Sequence, residues 1–180
     1  YDILILLFSN DNFKCTSEDI TKCFEKSHYP GACQLKSYEL LINNFVFNTD
    51  KFEFTDEQLS RIFNKLCILD DRVELAKRFY SKFSERINVN YVDQESRSFC
   101  LLDAIDCDCV KMVEFLLTIP DIDLNIRANT GSVNSHMNYT ENITPFCFAV
   151  VCGIDEIIQL FIKRRNEFNI NETFSDEIFF

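Results

Sequence analysis

Residues 143–158 read Ile143-Thr144-Pro145-Phe146-Cys147-Phe148-Ala149-Val150-Val151-Cys152-Gly153-Ile154-Asp155-Glu156-Ile157-Ile158, and this stretch decides the fold. Thr144 is placed to cap a helix with its hydroxyl. Pro145 then falls in the first helical turn, where its missing N–H costs nothing and its φ is already helical. Ala149 permits close approach of a neighbouring helix, and Gly153 permits the left-handed turn that ends one helix before the next begins. The stretch therefore predicts a helix over 144–151, a tight turn at Cys152-Gly153, and a second helix over Asp155–Ile162 that closes on the alternation Phe168-Asn-Ile-Asn171.

Working outward, two earlier blocks line up with this one. Val110-Lys-Met-Val-Glu-Phe-Leu-Leu117 closes on Ile122-Asp-Leu-Asn125, and Val73-Glu-Leu-Ala-Lys-Arg-Phe-Tyr80 closes on Ile87-Asn-Val-Asn90. Each eight-residue core carries one buried helical face and a second, partly buried flank, so it needs neighbours on two sides. A first helix precedes each core: Asp56–Leu69 before Asp70-Asp71, and Phe99–Asp106 before Cys107-Asp108. The repeating unit is helix, tight turn, helix, extended loop. Equivalent residues Val73, Val110 and Asp155 lie 37 and 45 residues apart.

The third block resembles the ankyrin repeat. Thr144, Pro145, Ala149, Gly153 and Glu156-Ile157-Ile158 stand where that family has Thr-Pro, Ala, Gly and an acidic-apolar second helix, with Phe146 for its Leu and Cys147 for its His. The second block keeps Leu101 and Ala104 but has Asp108 in place of the Gly, and the first keeps only the second helix and the closing Asn. The resemblance implies an all-α helical repeat solenoid over residues 56–180, with repeats at about 57–93, 97–127 and 142–173. The spacings exceed the roughly 33 residues of the standard repeat, so the loops carry insertions. The larger is Ala128–Asn142, rich in Ser, Asn, Thr and Gly, falling where the family's hairpin finger projects. Residues 1–55 are expected to form a helical cap or divergent repeats. Helices are predicted at Ser17–Lys26, opened by Thr16-Ser17-Glu18-Asp19, and at Cys33–Phe47, with a turn at Tyr29-Pro30-Gly31.

Composition agrees with helices and narrows the function. Three Gly and three Pro in 180 residues leave few breakers for a sandwich or barrel. The net charge is −11, with 13 acids against five bases from Leu101 onward, so nucleic acid is not an expected ligand. The basic triplet Lys163-Arg164-Arg165 is expected to complement the C-terminal end of a helix dipole. Nine irregularly spaced cysteines read as reduced thiols in the cytosol or nucleus. Ile3–Phe8 is too short to span a membrane, and because the first residue is Tyr1 the chain is expected to be a piece of something longer.

Catalytic signals are weak. Cys100, Cys107, Cys109, Cys147 and Cys152 lack the paired spacing of a zinc site and read as small buried thiols, and His28 and His136 are not placed as bases for a nucleophile. The acid pairs Asp70-Asp71, Asp106 with Asp108, and Asp121 with Asp123 are expected to cap helices rather than hold a cation. No catalytic residue, metal or cofactor is expected.

The resemblance implies a non-enzymatic protein-binding module or adaptor, whose first helices and loop tips line one surface. The candidate contacts are Tyr91, Val92, Asp93, Gln94 and Glu95 in the first loop, and Arg127, Asn129, Asn134, His136, Met137 and Tyr139 in the second, with Tyr91, Met137 and Tyr139 as apolar anchors. The acidic surface implies a protein partner that presents Lys and Arg. The alternative is a structural component fixed within a larger assembly.

Overall fold

The computed structural model describes residues 15–25, 32–47, 52–94, 97–129 and 142–168. Helix α1 (Ser17–Glu25) starts in a reciprocal cap: the Asp19 N–H donates to Thr16 Oγ1 (3.2 Å) and the Thr16 N–H to Asp19 Oδ2 (2.9 Å). Helix α2 (Ala32–Leu41) runs on as one wide π turn over Ile42–Val46. Helix α3 (Asp56–Leu66) opens with a second box, the Gln58 N–H donating to Thr55 Oγ1 and the Thr55 N–H to Gln58 Oε1. A 3₁₀ turn (Asp70–Arg72) leads into α4 (Val73–Phe83). Two short helices, α5 (Cys100–Asp106) and α6 (Val110–Leu116), precede α7 (Pro145–Cys152) and α8 (Asp155–Lys163).

Local chemistry at 144–153 is as the residue types predict. Thr144 accepts from the Cys147 N–H, Pro145 occupies the first turn, and Gly153 sits at φ +67°. In the preceding pair Asp108 takes the same left-handed role at φ 53°, which is why that turn survives without glycine. The first pair differs. Its first helix ends at Leu66 rather than Leu69, because the chain folds back through the 3₁₀ turn around Arg72, which is 1 % exposed. The Arg72 guanidinium carbon lies 3.9 Å from the centre of the Tyr38 ring and Nη1 donates to Lys65 O (3.0 Å), while the Tyr38 hydroxyl donates to Phe24 O. A desolvated cation–π contact of this kind contributes about 2 kcal/mol, which recovers part of the cost of burying the cation.

The helices pack in two rows. In one, α1 packs on α3, α3 on α5, and α5 on α7; in the other, α4 packs on α6 and α6 on α8. Cross-links join the rows into pairs α3–α4, α5–α6 and α7–α8. The π turn of α2 continues the second row, since Arg78 Nη2 donates to Asn43 Oδ1, Lys82 Nζ to Phe47 O, and the Phe47 ring packs on Phe79 and Phe83. Residues 17–25 and 32–47 thus extend both rows, and Arg61 ties α3 to α1 through Glu18 and Glu25. At the centre, α5 buries Cys100, Leu101, Leu102, Ala104 and Ile105 completely. Seven residues are too few for a helix to persist alone, so each fully buried Leu or Ile, worth about 1.5–3 kcal/mol, holds it in place.

The pairs are also linked through their loops. Asn90 donates from Nδ2 to Asp121 O (2.7 Å) and accepts from the Asp123 N–H (2.9 Å); one unit later Asn125 Nδ2 reaches Glu167 O (3.4 Å). Asn88 and Asp123 each accept the N–H two residues on, shaping the same turn twice. Among the described residues the β pairing is a single antiparallel bridge, Ala128 with Ile143, at the base of the insertion. The expected turn at Tyr29-Pro30-Gly31, the insertion's residues 130–141 and the chain from 169 onward, including the last closing Asn171, lie outside the described residues.

Candidate functional site

The loop that follows α4 is held against the start of α3 by polar side chains of that helix. Ser60 Oγ donates to Asp56 O and accepts from the Asn88 N–H (2.9 Å), and Asn64 Nδ2 donates to Tyr91 O (3.0 Å). Ser60 and Asn64 are both buried, so these bonds are shielded from water. The loop then closes on itself, Asp93 N–H to Ser98 O and Arg97 N–H to Asp93 O, both at 2.8 Å. Between α3 and this loop runs an open groove of about 510 Å³, lined by Asp56, Glu57, Ser60, Arg86, Asn88, Tyr91 and Gln94.

The charges in the groove are unequally occupied. Arg86 Nε sits 2.7 Å from Asp56 Oδ1 and Nη2 donates to Phe54 O, so the one cation among the described lining residues is already engaged. Glu57 is exposed and accepts from the Tyr91 hydroxyl at 3.2 Å. Burial, with the negative charge of Glu57 and the hydrogen bond to it, pushes the Tyr91 phenol above its ordinary value and keeps it a neutral donor. A tyrosine ring beside a solvent-facing carboxylate can take up a Lys or Arg side chain, whose stem packs on the ring while its head meets the acid.

The residues expected at the loop tips are thus divided by the structure. Tyr91 and Gln94 line the groove, Asp93 adds negative charge beside Tyr91, and half-buried Val92 packs against the core. Glu95 lies outside the described residues, as do Asn134, His136, Met137 and Tyr139. Arg127 is exposed, with Nη1 donating to Asn142 O. Asn129 is a correction: it is only 8 % exposed and is no loop tip. Its Oδ1 accepts from the Asn142 N–H and its own N–H donates to Arg97 O, so it fastens the base of the insertion to the preceding loop.

No family model, curated protein or solved structure matches this chain. Its chemistry is therefore read from its own residues. Burial, aided by neighbouring acids and thiols, pushes Cys107 and Cys109 up to about 12 and Cys152 up to about 11, which leaves all three as neutral thiols near pH 7. Cys67 is raised well above its ordinary value, chiefly by burial. Among the described residues no three of His, Cys, Asp and Glu gather as a metal site, and no helix is long and apolar enough to cross a membrane; His28 and His136 are outside them.

Sequence reasoning missed Ser60 and Asn64. Polar residues on the inner side of an amphipathic helix were the available signal, since a buried hydroxyl or amide needs a partner. Asp70 was expected to cap the helix beside it. It caps α6 of the next pair instead, its carboxylate accepting from the Lys111 and Met112 N–H groups (3.3 and 2.9 Å).

Proposed function

We propose that this chain is an ankyrin-like repeat array that binds a basic protein segment without catalysing a reaction, and that the groove between α3 and residues 88–94 is part of the contact surface. The observation that carries the reading is the pairing of Glu57 with Tyr91 at the open groove while Arg86 is bound to Asp56. The repeat assignment is supported by the two helical rows, by the recurrence of the Asn90 and Asn125 links, and by left-handed turns at both Asp108 and Gly153. The rigid helix start and its buried loop anchors set the receptor in advance, which lowers the ordering cost of binding.

The test is a fluorescence-anisotropy screen of the full chain against Lys- and Arg-containing peptides. Binding peptides are expected to lose about tenfold or more in affinity with Glu57→Lys and with Tyr91→Ala, and to associate more slowly as salt rises. Retention of neutral or acidic peptides instead, or on-rates indifferent to salt and to Glu57→Lys, would sink the reading.

A further inference from the structure

Among the described residues no helix stacks on the far edge of the α7–α8 pair, yet that edge is built like an internal stacking edge. In the preceding pair, Ile105 of α5 and Val113 of α6 are fully buried and Leu117 is 9 % exposed, because α7 and α8 lie over them. The equivalent positions of the next pair are Val150, which is 41 % exposed, half-buried Ile158, and Ile162, which is 37 % exposed. Val150 and Ile162 are the two large apolar side chains exposed among the described residues, and both lie on this edge. The sequence thus continues to supply apolar residues where a packed neighbour would sit.

The charges along α8 indicate which neighbour fits. Asp155, Ile158 and Ile162 share one face of α8 at intervals of three and four residues, and Arg165 follows in the turn after the helix, its N–H donating to Ile162 O (3.3 Å), which continues the stripe. Asp155 and Arg165 are exposed and stand at opposite ends of the two isoleucines. The stripe is therefore self-complementary when reversed. Placed antiparallel on a copy of itself, it sets Asp155 against Arg165, Ile158 against Ile162, and each of these pairs a second time by symmetry.

We infer that this edge is a homodimer interface, in which α7–α8 of one chain docks on α7–α8 of a second copy about a two-fold axis, with α8 antiparallel to its counterpart and Asp155 facing the partner's Arg165. A two-fold contact of this kind uses the same surface twice and closes without leaving a further edge. It is independent of the groove at Tyr91, which is built on the α3–α4 pair.

Sedimentation velocity on the full chain across a dilution series tests it. The chain is expected to dimerise reversibly. Ile162→Glu, at an exposed position that leaves the core intact, is expected to give a monomer with an unchanged circular dichroism spectrum. Arg165→Glu is expected to weaken the dimer by about tenfold through two repulsive pairs, and adding Asp155→Arg to the same chain is expected to restore it. A chain that is monomeric throughout would overturn the proposal. A dimer untouched by Ile162→Glu, or one that the double charge reversal does not rescue, would also overturn it.

Discussion

Three residue-scale features decide how the turns and the core respond to change. Gly153 at φ +67° has no atom within 4 Å of where a Cβ would stand, so Gly153→Ala meets only the backbone cost of the left-handed region, about 1 kcal/mol of lost stability in urea unfolding. Arg97 holds φ 54° with a long side chain, and only its backbone is used by Asn129. Arg97→Gly is therefore expected to stabilise by about 0.5–1 kcal/mol in the same measurement. Asp103 is the third. Burial pushes its carboxyl up to about 6 against the opposing effect of the Ser98 hydroxyl, which donates to it at 2.5 Å. A folded-state value above the unfolded one means the native chain binds the proton more tightly, so this contribution is full below about pH 4 and is lost as pH rises through about 6. The shift corresponds to about 3 kcal/mol at most, and partial exposure of the side chain reduces that to about 1–2 kcal/mol. Asp103→Asn keeps the acceptor for Ser98, and is expected to be more stable than the natural chain at pH 7 and to show no such decline between pH 4 and 6.

Elements were legible in the sequence where their signals are local. Helix α7 carries its cap, its first-turn proline and its terminal glycine within ten residues, and it forms where those residues predict. The first pair was harder because its shape depends on distance: α3 stops early for a turn whose Arg72 is held by Tyr38, 34 residues upstream. No periodicity encodes that contact. The same limit applies to the site. Tyr91 and Gln94 were recognisable as loop residues of the right chemistry, whereas Glu57 joined them only once α3 was placed beside the loop, and Asn129 was drawn inward by hydrogen bonds from both sides. Links between units are non-local too. Asp70 capping α6 predicts that Asp70→Ala lowers stability by about 1–2 kcal/mol, and that the loss appears as faster amide hydrogen exchange at Lys111–Val113 rather than in α4 beside it.

At the scale of the whole molecule, stacking makes each helix pair depend on its neighbours, so the groove at Tyr91 is held by contacts that run from α1 to α5. Its loop rests on Ser60 and Asn64 of α3, and α3 is fixed in turn by Glu18 and Glu25 of α1 through Arg61. On the proposed reading, the net charge of −11 adds a long-range attraction for basic partners and the Glu57–Tyr91 pair supplies the local contact. The most direct measurement of this account is hydrogen–deuterium exchange on the full chain with and without the tightest Lys/Arg peptide from the anisotropy screen. The account predicts slowed exchange confined to residues 56–60 and 88–94, with the outer surfaces of α4 and α6 unchanged. Protection centred instead on Val73–Lys77 and Lys111–Thr118, or none at the groove under saturating peptide, would contradict it.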